Sequence, residues 1–462
     1  MARRASCLLL LALGCATTRP DAARERVDEL SSERLDRELA WTPSLETDPQ
    51  VEAMVDRLLS ESLTANAAVQ IALVRSPRIQ ATLEELGIAQ ADLVQAGLLR
   101  NPHIGGGPRM PFGGTPVGWS FDTAIAFLDA ALIPLRKKIA KAQRNHAILK
   151  VAHEVLMLDA EVREAFYDYV AIIQIYKYQW DIAEAAELAN ELAARQLAAG
   201  TMNELEAGEI AAHYQEAKLE LSHVQNEVFE HREHLNRLMG LWGEDLEWRT
   251  APELPKLPKA EPELERLESL AVASRLDLEA KRVEVKGIVH AVKLARRSPW
   301  LRAADVGVLG EQDPGDRPTL GPFIELELPI FDWGRADAAR AEAELRMVQR
   351  TLQAMAIDVR SHVREKRNHM LIERRMTEFQ RDVVIGQRHD NLRFGQQRYD
   401  AMLLGTYELL ELKREELEAR QAFVEHLRDY WIARTELELE VGGRLEALLA
   451  RTARTKSNPG KK

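Results

Sequence analysis

Residues 321–335 read Gly321-Pro322-Phe323-Ile324-Glu325-Leu326-Glu327-Leu328-Pro329-Ile330-Phe331-Asp332-Trp333-Gly334-Arg335, and the periodicity changes within them. From Phe323 to Ile330 the chain alternates, with Ile324, Leu326, Leu328 and Ile330 set against Phe323, Glu325 and Glu327. A period of two sends neighbouring side chains to opposite faces, so this is a strand with one greasy side. Gly334 ends it. The period is then helical for about 70 residues, a helix of ~105 Å at 1.5 Å rise per residue. Gly405-Thr406 breaks that helix, and a last one runs to Gly442-Gly443.

The same order occurs once earlier in the chain. Ser76-Pro77 is an N-cap and first-turn pair that opens an amphipathic helix, which stops at Asn101-Pro102. Gly105, Gly106, Gly107, Pro108, Pro111, Gly113, Gly114 and Pro116 read as a turn-rich loop. Trp119, Phe121, Thr123, Ile125 and Phe127 then fall on one face of a strand. Pro134 opens a helix to Ala199, about 65 residues or ~100 Å. Its apolar positions Ile148, Val151, Val155, Leu158, Val162, Phe166, Tyr169, Ile173, Tyr176 and Trp180 form a heptad seam with one stutter. Gly200-Thr201 breaks it, and a returning helix spans Asn203 to Met239.

Pro252, Pro255, Pro258 and Pro262 then read as a semi-rigid linker. Beyond them come a helix over 264–297 closed by Ser298-Pro299, a strand from Leu301 to Leu309, and a loop from Glu311 to Pro318. Gly200-Thr201 corresponds to Gly405-Thr406, and Asn101-Pro102 to Ser298-Pro299. A duplication with a period of about 200 residues is too long for a solenoid and signals a pseudo-symmetric assembly. The expected divisions are 1–14, 15–50, 51–240, 241–263, 264–443 and 444–462: signal peptide, polar tether, first repeat, linker, second repeat and tail.

Composition agrees with a mainly α chain. Of 462 residues 46% are hydrophobic, 29% charged and only 6% aromatic, which excludes a disordered chain and favours long helices. Sixty-two Lys and Arg stand against 73 Asp and Glu, a net charge of -11 with the cations interspersed, so no nucleic-acid partner is expected. The two cysteines, Cys7 and Cys15, both lie at the amino terminus. Met1-Ala2-Arg3-Arg4 and the short apolar run Ala5 to Leu13 have the form of a secretory signal. Leu11 to Cys15 resembles a bacterial lipobox, which implies lipid on Cys15; the plainer reading is an ordinary signal cleaved nearby, with a free cysteine left over. After it no stretch approaches the ~20 apolar residues of a membrane helix, so a membrane crossing requires a closed β-barrel. Each repeat offers two strands, and four cannot close a barrel whose smallest single-chain form has about eight. Several copies must share one barrel; three copies give twelve strands, continued by the helices as a hollow tube.

Residues 321–335, Ser76-Pro77-Arg78-Ile79, Asn101-Pro102 and the two Gly-Thr breaks resemble the TolC-type outer-membrane efflux protein family. The resemblance covers about 60 to 443 and departs from the family at Pro134 to Lys138, which lacks the Phe-Asp-x-Gly of the second repeat. It implies a homotrimer whose α-barrel continues a shared 12-stranded transmembrane β-barrel, four strands per protomer. It also implies an outer-membrane location with a large periplasmic part. The chain would be a passive duct of a tripartite efflux or type I secretion system, docked on a periplasmic adaptor and an inner-membrane pump. Gly200, Thr201, Gly405 and Thr406 become adaptor-docking tips, with glycine also supplying a left-handed C-cap.

Glu325 and Glu327 face the lumen if Ile324 and Leu326 face lipid, as an acidic ring favouring cations or as ordinary polar lining. Arg398, Tyr399 and Asp400, a turn before the second tip, are aperture candidates beside the plainer reading of a solvated helix face. His231 and His234 read as exposed helix, and no metal site or cofactor is expected. No phosphate loop or nucleophile elbow supports an enzyme. The alternative is a structural coiled-coil lipoprotein that spans the periplasm without a pore.

Overall fold

The computed structural model describes residues 21–35, 49–110, 117–125, 128–262, 266–301, 304–313, 317–326 and 331–449. Helices dominate: α1 (Asp21–Leu35), α2 (Pro49–Ser60), α3 (Ala65–Arg75), α4 (Pro77–Gln95), α5 (Ile133–Ala198), α6 (Glu204–Met239), α7 (Leu267–Ser274), α8 (Leu276–Leu301), α9 (Arg335–Phe379), α10 (Ile385–Asp400) and α11 (Thr406–Val441). A π turn over Gln380–Val384 joins α9 to α10 without a break. Two short strands, β1 (Ser62–Leu63) and β4 (Arg249–Thr250), pair in parallel. The other four, β2 (His103–Arg109), β3 (Gly118–Ile125), β5 (Ala304–Gln312) and β6 (Thr319–Leu326), form an antiparallel sheet in the order β2-β3-β5-β6.

The chain divides into two compact units. One takes residues up to Val27, Thr82–Ala152 and Leu276–Ile357; the other takes Asp28–Ala81, His153–Arg275 and the chain from Asp358 onward. Each unit draws on both sequence repeats, and the first is built round the sheet, where β3 of one repeat pairs with β5 of the other. The repeats therefore fold into one another.

The duplication is visible in the second unit as two copies of one glycine contact. Gly240, left-handed with φ of 71°, lies so close to the α3–α4 corner that a Cβ would come within 2.7 Å of the Arg75 carbonyl oxygen. Gly442, with φ of 93°, meets Ser274 and Arg275 at the α7–α8 corner in the same way, at 3.2 Å from Arg275. Each glycine is the C-cap of a returning helix, where only a residue without a side chain tolerates both the torsion and the approach.

The second unit is also laced by polar rungs between α9–α10 and α11. Lys366 pairs with Glu436 at 2.7 Å, Glu373 with His426 at 3.0 Å, and the Gln380 amide donates to the Ala419 carbonyl at 3.0 Å. Lys366, Glu373 and Gln380 keep a heptad spacing along α9 into the first residue of the π turn. The π turn inserts one residue, and the next rung falls on Arg388, which pairs with Glu415.

Five expectations need correction. His103–Arg109 falls within the expected loop and is a strand, because Gly105–Gly107 are accommodated in the ladder, with the Asp122 carboxylate seated over Gly105. The helix expected to close at Ser298-Pro299 runs on to Leu301, so the strand expected over Leu301–Leu309 is β5, which starts at Ala304 and extends to Gln312. The strand expected over Phe323–Ile330 starts at Thr319, and residues 327–330 lie outside the described residues. Within the expected tether, Asp21–Leu35 form a helix that buries Val27, Leu30 and Leu35 and whose Arg34 guanidinium donates to the Ser274 carbonyl at 3.2 Å. The Pro-rich stretch is strapped down as well: the Pro252, Pro255 and Pro258 carbonyls accept from Gln174, Trp431 and Arg374.

Candidate functional site

Two surfaces have a form that chemistry can use: the sheet of the first unit and the helical tips of the second. In the sheet, pairing fixes which residues share a side. Ile324 lies opposite Val306, Pro322 opposite Val308, and Val308 opposite Thr123, which faces Ile104. Phe121 and Trp119 continue the same face. It is apolar and bare: Ile104 is 73% exposed, Trp119 60%, Leu320 75% and Ile324 68%.

The opposite face is polar. Glu325 pairs with Asp305, Leu309 with Asp122, Glu311 with Ser120 and Thr319, and Asp122 with Gly105. Arg109 spans Glu311 at 2.8 Å and Asp313 at 2.7 Å, while His103 stands 3.8 Å from Asp122. Leu309 and Phe323 are apolar residues on this face, and the Phe323 ring covers Gly307, where a Cβ would sit 2.5 Å from Cε1. The ring replaces the side chain that glycine lacks. Glu325 thus stands on a face with Asp122, Asp305 and Glu311, a group dispersed over three strands that no single strand pattern reveals. Glu327 lies outside the described residues. Among the described residues β2 and β6 each have one neighbour, so both edges keep a row of unpaired peptide groups.

The first tip follows α5. Gly200 has φ of 71°, its N–H donates to the Leu197 carbonyl at 3.0 Å, and the Thr201 N–H reaches back to Gln196 at 2.9 Å. That pair of bonds is a Schellman cap. Asn203 then caps α6 by accepting from the Glu206 N–H at 2.9 Å.

The second tip repeats this geometry on different residues. The Leu403 N–H donates to Arg398 at 2.8 Å, the Met402 N–H to Tyr399 at 2.9 Å, and Met402 takes the left-handed torsion with φ of 58°. Gly405 has φ of -75° and ψ of 161° and is the N-cap of α11; its N–H donates to the Glu408 carboxylate at 2.8 Å. The expected glycine C-cap at Gly405 is therefore corrected. Gly200 matches Met402, and Asn203 matches Gly405. Thr406 begins α11, with its hydroxyl 3.4 Å from the Tyr399 hydroxyl.

Within the second unit the two hairpins touch. Ala189, Ala193 and Ile210 form a small core on which Met202 and Leu410 pack, and the His213 and Tyr407 rings lie 6.0 Å apart. A cavity of about 280 Å³ behind them is lined by Ile182, His213, Tyr407, Glu411 and Arg414. The outer surface of the second tip is apolar, with Met402 94% and Leu403 68% exposed. Of the aperture candidates, Asp400 accepts from Gln396 at 3.0 Å, Tyr399 accepts from Thr406, and Arg398 contributes its carbonyl to the cap. Cys15 lies outside the described residues.

No protein-family model matches the chain, and no curated protein matches it. Solved structures do. The CmeC outer membrane channel of Campylobacter jejuni superposes with a TM-score of 0.66 at 14% identity, over 94% of this chain and 96% of that one. A membrane protein from Pseudomonas aeruginosa gives 0.64 at 17% identity, over 86% and 93%. The outer membrane protein VceC of Vibrio cholerae gives 0.61 at 15%, over 86% and 97%. The chain has the fold that these membrane proteins share.

Proposed function

We propose that the chain is a subunit of an outer-membrane export channel, in which three copies pool their four-stranded sheets into one barrel of twelve strands. The carrying observation is the sheet: one face apolar and bare, the other acidic, both edges open. An apolar face of that kind is stable against lipid, and edge-to-edge pairing between copies satisfies the open peptide groups. Glu325, and Glu327 beyond it, then line the lumen. A second feature agrees: Ile372, Met376, Phe379 and Val383 form an exposed apolar stripe with heptad spacing along α9 and the π turn, fit for a helix of a neighbouring copy.

The hairpin tips, apolar at Met402 and Leu403, serve as the contact for a periplasmic adaptor, through which an inner-membrane pump delivers its cargo in a tripartite efflux or type I secretion system. Lipid on Cys15 anchors the amino terminus. The role is transport and not catalysis. A pore-less spacer is the weaker reading, because it has no use for a sheet with a greasy exposed face. Planar bilayers test the proposal: purified full-length protein should give discrete, ohmic conductance steps, and a protein that inserts without conducting refutes the duct. Fatty-acid labelling lost in Cys15→Ala supports the anchor; equal labelling of both removes it.

A further inference from the structure

We propose that α9 and α11 carry a site for a borderline divalent cation such as Zn²⁺, built from Glu373, His426 and Asp429. One ligand atom of each lies within 4.8 Å of the other two. His426 Nδ1 is 3.0 Å from Glu373 Oε2, and the second oxygen, Oε1, stands 3.7 Å from His369 Nε2. Glu373 is therefore held between two imidazoles. The donors come from both helices: His369 and Glu373 are one turn apart on α9, His426 and Asp429 one turn apart on α11.

His213–Glu216 and His223–Glu227 each lie along one helix. His362–Glu440 and His389–Glu416 bridge two helices as well, but with imidazoles 55% and 62% exposed. Among the described residues it is Glu373–His426 that gains a third ligand atom, from Asp429, within 4.8 Å. Glu373 keeps only 14% of its side chain exposed and His426 28%, so their geometry is fixed by helix packing and not by surface rotamers. Nitrogen and oxygen donors in that mixture favour Zn²⁺ and its neighbours over Ca²⁺ or Mg²⁺, which take oxygen alone. Bond lengths of about 2.0 to 2.2 Å require the three donors to close in, a rotamer adjustment within one helix pair.

Binding replaces the hydrogen bond between His426 Nδ1 and Glu373 Oε2 by two bonds to the metal, with His426 held as the neutral imidazole whose proton sits on Nε2. Arg428 competes, since it pairs with Asp429 at 2.7 Å; its second acid, Asp168, lies 3.6 Å away and can hold it once Asp429 turns to the ion. The ion would act as a staple between α9 and α11, independent of what the channel carries.

The test is calorimetric titration of Zn²⁺ at pH 7.5 into full-length, chelator-treated, detergent-extracted protein. The site predicts one ion per chain, bound about tenfold or more weakly in His426→Gln, Glu373→Gln and Asp429→Asn, and unchanged in the double variant His231→Gln/His234→Gln. Co²⁺ should give visible ligand-field absorption that the same three variants abolish. The three changes lie on two helices, so failure of one variant to fold leaves the others to decide. Equal Zn²⁺ binding by wild type, His426→Gln and Glu373→Gln overturns the site, as does a loss that follows His231 and His234.

Discussion

Met402 takes a left-handed torsion although it carries a side chain, as Arg266 does at the start of α7. A left-handed torsion at a residue with a side chain costs about 1 to 2 kcal/mol, and Gly200 meets the same demand in the other hairpin without that cost. Met402→Gly should raise the thermal midpoint of detergent-extracted protein, and Gly200→Val should lower it. Gly405→Ser should be neutral or stabilising, because at that N-cap a hydroxyl can accept from the first turn and a Cβ meets only the Glu408 carboxylate, at 3.4 Å. A left-handed glycine was foreseeable at both tips from the Gly-Thr pairs, but only one pair fills that position. Which residue turns left-handed depends on where the long helix frays, and one Gly-Thr pair looks like the other in sequence.

Glu438 carries a second consequence at this scale. Burial drives its carboxyl up to about 7 from 4.5; Glu446 adds to the rise, and Arg434, Arg163 and Arg444 oppose it. A carboxyl raised by folding binds a proton that the unfolded chain has lost. Its contribution to stability is therefore complete below pH 4.5 and disappears as pH rises through 7. Denaturant midpoints compared at pH 5 and pH 8 should fall more for wild type than for Glu438→Gln. An equal fall in both would assign the pH dependence to other groups, Glu164 among them, whose carboxyl burial also drives up to about 7.

At the scale of elements, the long helices were legible because a heptad seam repeated over ten positions outweighs any local ambiguity, and β3 and β6 because alternation is unmistakable beside a helical period. What escaped depends on partners distant in sequence. His103–Arg109 looks like a loop until Asp122 and Ser120 of the neighbouring strand are placed beside its glycines. The spaced prolines look like a linker because a carbonyl's acceptor role leaves no trace in composition. In fact Glu261, with 10% of its side chain exposed, accepts from Tyr430 and Arg374 at 2.5 Å each and stands 3.5 Å from Arg434. Removing one member of such a cluster leaves uncompensated charge. Glu261→Ala should therefore destabilise the protein by about 3 kcal/mol, measured by urea unfolding, with a much smaller loss for Glu253→Ala at an exposed position of the same strap. A similar loss for both would mean that the strap is held by its backbone bonds alone. The same dependence on distant partners hid the pairing of Glu373 on α9 with His426 on α11, 53 positions apart in the chain.

At the scale of the whole molecule, strand number bears on the proposed assembly. The described residues provide one four-stranded antiparallel sheet with two open edges, and the smallest known single-chain membrane barrels use about eight strands. The proposed closure by copies makes the two faces of the sheet unequal in a way that mutation can read. An arginine on the lipid face costs roughly 2 to 4 kcal/mol near the bilayer midplane, and every copy in the barrel would bear that cost at once. Ile324→Arg, on the bare apolar face opposite Val306, should therefore abolish the membrane-inserted oligomer. Glu325→Arg, one residue on and opposite Asp305, should insert and assemble normally, since it adds a cation among carboxylates in the proposed lumen. Its signature is electrical: reversal potentials under a salt gradient should shift from cation toward anion preference, because each copy exchanges a negative charge for a positive one. Both variants are read by oligomer yield on gels of unheated membranes and by bilayer recording. Assembly of Ile324→Arg at wild-type yield would mean that this face does not meet lipid, and failure of Glu325→Arg to assemble would mean that the faces are reversed.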